Sequence, residues 1–169
     1  YRCDDHFHVD ILKDMLKDEN VIGILAIDAK DAGWGLLHGD KLEVLKETGS
    51  GVAGKHRQGG QSAKRFQKLR EMELQYYFNR VAHITREYFI DIYKIKGLII
   101  SGPGPTKDDF IKNNYLEYRL QKMIISTIDA SYAGSEGIRE AFTKSSEILS
   151  NFRLVEEKQI IEKLFQHIN

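Results

Sequence analysis

The chain has 169 residues, which suits one substantial domain with a helical extension, since single domains usually hold about 100 to 200 residues. Hydrophobic residues make up 41% and charged residues 30%, a balance that excludes disordered and membrane-embedded classes. The single cysteine, Cys3, excludes an intrachain disulfide, and no apolar run approaches the roughly 18 residues that a bilayer requires. We therefore expect a cytoplasmic protein without membrane contact.

The N-terminal part of the chain predicts a short helix followed by a β-meander. Helical spacing of apolar residues covers about residues 8–18. The run from Val21 to Asp28 is short, β-branched and almost continuously apolar, which is typical of a strand buried on both faces. A second strand follows from Gly33 and turns at Gly39-Asp40 into a third strand at 42–48.

An exposed, mobile glycine-rich loop and one long helix are predicted next. Gly49, Gly51, Gly54, Gly59 and Gly60 are too many for a regular element, because each glycine adds backbone entropy that ordering must overcome. Neither glycine nor proline occurs from Ser62 to Lys96, so a helix roughly 45 Å long should run from Ser62, its N-cap, to about Asp91. Its first half is expected to project. The predicted inward face consists of Leu74, Phe78, Val81, Thr85, Tyr88 and Ile92.

Strands and helices alternate in the rest of the chain. Residues 98–101 predict a buried strand, followed by a Gly-Pro-Gly-Pro turn and a helix from Thr106. Residues 123–128 predict another strand, and an amphipathic helix is expected over 138–149, after Gly134 and Gly137. This order predicts an α/β fold, with a mixed β-sheet packed with helices, in a domain of residues 1–150. Residues 151–169 predict a helical linker toward a further domain, with Ile160, Ile161, Leu164, Phe165 and Ile168 on one face.

A partial P-loop pattern is the nearest formal motif. Residues 49–55 satisfy its first seven positions, but His56 stands where the pattern needs Ser or Thr to reach magnesium. The Gly59-Gly60 pair also prevents a helix from beginning directly after Lys55. Nucleotide binding is therefore disfavoured.

Three weaker patterns favour structural roles. The turn at 102–105 contains two prolines, which lack the N–H donors of a phosphate cradle. The residues Cys3, His6 and His8 have no recognised zinc spacing, so no metal or cofactor is expected. Asp28 and Asp129 end two predicted strands, where a turn or cap role is favoured over a paired metal site.

Positive charge is concentrated around the glycine pair, although the formal net charge is +0. Residues 48–70 contain no Asp or Glu, which suits entry into a polyanionic RNA cavity. The glycines permit close backbone approach, and Gln61 offers an N–H and an amide that can position water or stabilise an oxyanion without acting as a nucleophile. A merely flexible basic loop is the alternative. The predicted catalytic residues are Gly59, Gly60 and Gln61, and the predicted RNA-binding residues are Lys55, His56, Arg57, Ser62, Lys64, Arg65, Lys68 and Arg70.

This segment resembles the middle domain of the archaeal/eukaryotic class I peptide chain release factors. The likeness rests on Gly59-Gly60-Gln61, with Lys55-His56 before it and Ser62-Ala63, Arg65-Phe66 and Leu69-Arg70 after it. It extends along the chain to Phe7-His8, Gly23, Ile27-Asp28, Gly39, Asp129, Ser131-Tyr132, Gly134, Gly137 and residues 147–151.

The resemblance implies a role in translation termination. In such factors the Gly-Gly-Gln tip enters the peptidyl transferase centre, where water attacks the ester that joins peptide to tRNA. It implies large-subunit rRNA and the P-site peptidyl-tRNA as partners, a translational GTPase acting through the full-length factor, and a methyltransferase that N5-methylates Gln61. The chain is then not an independent enzyme, because the ribosome supplies the rest of the site.

Two departures qualify the likeness. Arg57-Gln58 stands where eukaryotic members commonly have Gly-Arg, which favours an archaeal member and leaves any specific contact of Arg57 open. Residues 102–110 resemble the Pelota ribosome-rescue relatives, which lack the Gly-Gly-Gln tip. A Pelota-like RNA-docking domain without release activity is therefore the alternative.

Overall fold

The computed structural model describes residues 21–54 and 59–168, which form a mixed five-stranded sheet with helices on both faces. The strand order is β3-β2-β1-β4-β5, with β1 antiparallel to β2, β2 antiparallel to β3, and β4 parallel to both β1 and β5. The predicted α/β class, with its β-meander, is confirmed. The strands are β1 (Val21–Ile27), β2 (Asp31–His38), β3 (Lys41–Gly49), β4 (Gly97–Gly102) and β5 (Ile124–Asp129).

The predicted helices occur in the predicted order among the described residues, with one further short helix at Tyr118–Lys122 that was not predicted. The long helix α1 passes into a π-helical turn at Glu87–Ile92, in which the N–H of Tyr93 donates to the carbonyl of Tyr88 at 2.9 Å. Within the described ranges, no helix is long and apolar enough to cross a bilayer. The α-helices are α1 (Gln61–Arg86), α2 (Thr106–Lys112), α3 (Tyr118–Lys122), α4 (Gly134–Lys144) and α5 (Ser146–Ile168).

The core has two layers because the central strands are apolar on both sides. Every residue of β1 and of β4 is buried, as the continuous apolar runs predict. One face of the sheet packs against α1, α2 and α3 through Phe78, Phe110 and Leu120. The other face packs against α4 and α5 through residues that include Ile138 and Leu149.

The start and the inward face of α1 differ from the prediction. Gly60 is the N-cap residue and makes no side-chain cap, so Ser62 lies inside the first turn and is not the cap. The predicted face is correct at Phe78, Val81 and Thr85, but Ile92 is 53% exposed. The π-helical turn has more residues than an α-helical turn, and this changes the rotation of the following side chains. Phe89 therefore faces the core where Ile92 was predicted to do so.

The C-terminal helices also differ from the prediction. Gly134 and Gly137 lie within α4. A Cβ on Gly137 would overlap the carbonyl oxygen of Tyr132 and crowd Ala26 at 3.0 Å. These glycines therefore allow close packing on the sheet and do not break the helix. A buried Ser145 ends α4, and α5 continues through position 150. The helix predicted over 8–18 lies outside the described residues.

A buried hydrogen-bond chain fixes α1 to the sheet. The indole N–H of Trp34 on β2 donates to the Thr85 hydroxyl at 2.9 Å, and that hydroxyl donates to the Val81 carbonyl at 2.7 Å. Trp34 and Thr85 are both fully buried. The base of α1 is thereby held in one orientation on the sheet.

Thr85→Val should lower the free energy of unfolding by about 1–3 kcal/mol, because the buried indole N–H of Trp34 loses its acceptor while the side-chain shape is kept. Urea denaturation measures the change. The matched control is Thr143→Val on α4, whose exposed hydroxyl makes the same kind of bond to Arg139, at 3.1 Å. Equal effects of the two substitutions would contradict a specific anchor at Trp34.

Candidate functional site

The Gly-Gly-Gln segment forms the N-terminal end of α1. Gly60 has φ 142° and ψ 178°, a backbone region that is essentially restricted to glycine. Its carbonyl accepts the N–H of Ala63 at 3.0 Å, which starts the helix. Gln61 is the first helical residue and is exposed, so its N–H lies among those at a helix N-terminus that have no intrahelical partner. The tip therefore presents a donor and an amide side chain to solvent.

The first half of α1 projects from the sheet, as expected. Phe66, Leu69 and Met72 are each 51% exposed, whereas the first buried residue of α1 is Tyr77. The tip thus lies several helical turns beyond the core. That placement leaves Gln61 accessible to a partner several helical turns away from the sheet.

The predicted RNA-binding residues do not all occupy the same surface. Ser62, Lys64, Arg65 and Lys68 are exposed on the projecting half of α1. Arg70 is half-buried on the opposite side, where its Nε donates to the carbonyl of Ala53 at 3.3 Å. Helical spacing already places Arg70 about 200° around the axis from Lys68, one turn before Leu74, but its partner Ala53 follows from the path of the preceding loop. Lys55, His56 and Arg57 lie outside the described residues.

The start of the glycine-rich loop is held by hydrogen bonds to Lys30 and to α1. The N–H of Ser50 donates to the carbonyl of Lys30 at 2.6 Å, and Arg80 on α1 donates to the carbonyl of Gly49 at 2.7 Å. Gly51 and Gly54 are exposed, as predicted. Arg80 was missed as a contributor to the site. The signal in the sequence is its position three residues after Tyr77, whose ring its guanidinium approaches to 5.7 Å.

A groove of about 470 Å³ separates the loop from the helix. It is lined by the Ala53-Gly54 end of the loop and by α1 residues that include Phe66, Arg70 and Glu73. Among the described residues α1 begins at Gln61, directly after Gly60, whereas a P-loop places a helix N-terminus directly after its lysine.

The two strand-end aspartates have partners within the fold. Asp129 forms an ion pair with Lys107, whose side chain is only 4% exposed, and its carbonyl accepts from Lys144 at 2.8 Å. The hydrogen bond from Lys107 lowers the pKa of Asp129, and the same bond raises the pKa of Lys107. The carboxylate of Asp28 accepts from the Thr106 hydroxyl at 3.4 Å. Both carboxylates bond side chains of α2 and so have structural roles, although these are tertiary contacts and not the turn or cap role that the sequence favoured.

Comparison with known proteins identifies relatives among archaeal termination factors. A sequence profile described as eRF1 domain 2 matches residues 21–151. Peptide chain release factor subunit 1 of Thermococcus kodakarensis is 38% identical over 171 residues, which cover 99% of this chain and 41% of that protein. The same factor from Methanopyrus kandleri is 38% identical over 166 residues, covering 98% and 41%. The chain thus spans about two fifths of the curated relatives it matches.

Solved structures show the same fold. The crystal structure of an archaeal translation termination factor, aRF1, has a TM-score of 0.66 and 29% identity, covering 99% of this chain and 46% of that one. Archaeoglobus fulgidus Pelota has a TM-score of 0.54 and 25% identity, covering 95% and 43%. Because the profile spans most of the chain and the termination factor shares its fold, this chain belongs to the eRF1 domain 2 family, the middle domain of archaeal-type release factors.

Proposed function

We propose that this chain acts in translation termination, where it triggers hydrolysis of the peptidyl-tRNA ester in the peptidyl transferase centre. The observation that carries the proposal is the Gly59-Gly60-Gln61 tip, which lies exposed at the N-terminal end of a projecting helix. In the reaction, water attacks the ester carbonyl and the bond to the ribose 3′ oxygen breaks. The peptide leaves as a carboxylic acid, and the tRNA regains its hydroxyl.

The tip contributes positioning and charge stabilisation. Gln61 has no nucleophilic or basic group, so its N–H and amide can orient the attacking water or donate to the developing oxyanion. The conformation of Gly60 directs the first helical N–H outward. The tip completes a site made mostly of RNA, and the isolated chain should hydrolyse little.

The flanking charge supports RNA as the partner. Lys64, Arg65 and Lys68 are exposed beside the tip, and each can neutralise a phosphate. We propose the same contact for Ser62, Arg70 and the Lys55-His56-Arg57 segment, with large-subunit rRNA and the P-site tRNA as the acidic partners. For Arg70 this requires release from Ala53, since its guanidinium is held there in the free chain.

The remaining partners are proposed from the family. A translational GTPase would deliver the full-length factor, a methyltransferase would modify the exposed Gln61, and the protein would act in the cytoplasm. Residues 151–169 would link to a further domain. In support, Arg153 binds Asp40 at 3.1 Å, while α5 beyond it exposes Ile161, Leu164 and other apolar residues.

A Pelota-like docking domain without release activity is the second candidate. The Archaeoglobus fulgidus Pelota fold favours it, as does the likeness of residues 102–110 to that family. A structure of ribosome-bound archaeal Pelota with ABCE1 has a TM-score of 0.59 at 24% identity, which supports the shared fold alone. The Gly-Gly-Gln tip favours termination over this alternative.

Peptide release by a chimeric factor tests the proposal. Residues 21–168 would replace the matching segment of the Thermococcus kodakarensis release factor, and release would be measured on purified ribosomes halted at a stop codon. We expect a rate within about tenfold of the parent factor, since the chain supplies the whole tip and its supporting helix. Ribosome binding or subunit splitting without freed peptide would support the Pelota-like alternative instead.

A further inference from the structure

A sector of about 140° on the exposed side of α1 carries no carboxylate of its own from the tip to the sheet. At about 100° per residue, ten side chains share this side over roughly 33 Å, and we term it the acid-free face. All ten are exposed, whereas Tyr77, Val81 and Thr85 lie on the opposite, buried side. The acid-free face consists of Gln61, Lys64, Arg65, Lys68, Leu69, Met72, Gln75, Tyr76, Asn79 and His83.

The two acidic residues of α1 border this face on either side, Glu71 about 20° from the line of Lys64 and Glu73 about 40° from that of Leu69. Glu71 and Glu73 flank the groove beneath the helix, and Glu71 accepts a hydrogen bond from Gln67 at 3.3 Å. One side of the helix therefore combines cations near the tip with amide, phenol and imidazole groups farther back. An ordinary solvated helix face mixes charges of both signs.

The rear half of the acid-free face also exposes apolar surface. Met72 is 51% exposed and Tyr76 is 70% exposed, and Tyr76 lies one turn beyond Met72 on the same side. The sheet does not cover this surface, because the buried side of α1 already packs there. An aromatic ring with cations along one line is the combination that stacks a base while phosphates are neutralised.

We propose that the acid-free face is one continuous RNA-docking surface, in which Tyr76 stacks on an unpaired base and Gln75, Asn79 and His83 contact the adjoining ribose and phosphate groups. The cations bind phosphates at the tip end. Charge complementarity favours RNA, since the face contains three cations and no carboxylate, and Glu71 at its border accepts a hydrogen bond from Gln67. This inference rests on the proposed function and extends the docking surface about 20 Å along the helix, from Arg70 to His83.

Binding of the 169-residue chain to purified archaeal large ribosomal subunits, followed by fluorescence anisotropy at several salt concentrations, tests the proposal. Tyr76→Ala should weaken binding about tenfold, because a stacked base is lost, without changing the salt dependence. Tyr76→Phe should bind like the parent chain. Lys68→Gln should reduce the logarithmic salt slope by about 0.7–0.9, since one phosphate contact is lost.

The matched control is Tyr132→Ala, because Tyr132 is also an exposed tyrosine, at 60%, but follows β5 and lies outside α1. It should bind like the parent chain. Thermal unfolding should show that both alanine variants stay folded, as expected for exposed rings.

Two results would overturn the inference. The first is undiminished binding of Tyr76→Ala, and the second is weaker binding to large subunits but unchanged binding to deproteinised large-subunit rRNA, which would assign the face to a ribosomal protein. Neither result depends on peptide release. If the chimera binds ribosomes but frees no peptide, the proposed function fails while a binding defect of Tyr76→Ala still supports the docking surface.

Discussion

Gly60→Ala is expected to reduce peptide release by the chimeric factor at least about 100-fold while changing ribosome binding less than about twofold. Gly60 has φ 142°, and alanine there costs about 1–3 kcal/mol in backbone strain. The space around Gly60 is open, since a Cβ there would lie 3.9 Å from the Ser62 hydroxyl, so crowding within the chain is not the cause. The strain is relieved by moving the backbone that orients Gln61, which misplaces its N–H.

Single-turnover release and equilibrium binding to ribosomes separate the two effects. The matched control is Gly54→Ala, at a glycine of the same loop that has open space and no positive φ; it should release peptide like the parent. Normal release by Gly60→Ala would refute the proposed role of the tip. A parallel loss of binding would show that Gly60 serves docking and not the chemical step.

Gly102→Ala is expected to lower the free energy of unfolding by about 4 kcal/mol, a large part of the roughly 5–15 kcal/mol typical of a domain. Gly102 ends β4 with φ 155°, and a Cβ there would overlap the carbonyl oxygen of Ile27 on β1. The neighbour is backbone of a fully buried strand, so it cannot move aside as a side chain could. The strain therefore has to separate two paired central strands.

Guanidinium denaturation of the 169-residue chain measures this loss, and the melting temperature should fall by about 10 °C. Gly54→Ala again provides the control, because nothing lies within 4 Å of its Cβ position, and it should leave the midpoint unchanged. A loss below about 1 kcal/mol for Gly102→Ala would mean that β1 and β4 separate easily at this end.

The central sheet could be predicted because its signals are local. The runs that form β1 and β4 are apolar at almost every position, and such runs form strands that are buried on both faces whatever the topology around them. The turn at Gly39-Asp40 is likewise a property of two adjacent residues. The proposed tip stays a prediction from sequence, where its glycines, glutamine and cations are contiguous.

The errors arise where tertiary contacts decide the structure. Gly137 looks like a helix breaker in sequence, yet it lies within α4. Glycine is needed at this position because Ala26 approaches too closely for a side chain. Ile92 has the right helical spacing for burial, but the π-helical turn before it changes the rotation. Arg70 is separated from Lys68 by helical spacing, but its partner Ala53 becomes apparent only with the path of the loop. Each outcome depends on a residue distant in sequence or on a local irregularity.

The anchor at Trp34 and Thr85 has a geometric consequence for the tip. Gln61 lies about 24 residues before Thr85, which is about 36 Å along the helix, so a tilt of about 2° at the anchor moves the glutamine by about 1 Å. Displacements of that size can cost about 100-fold in rate. For the proposed reaction, the angular tolerance at Gln61 therefore depends on how firmly α1 is held on the sheet at Trp34 and Thr85.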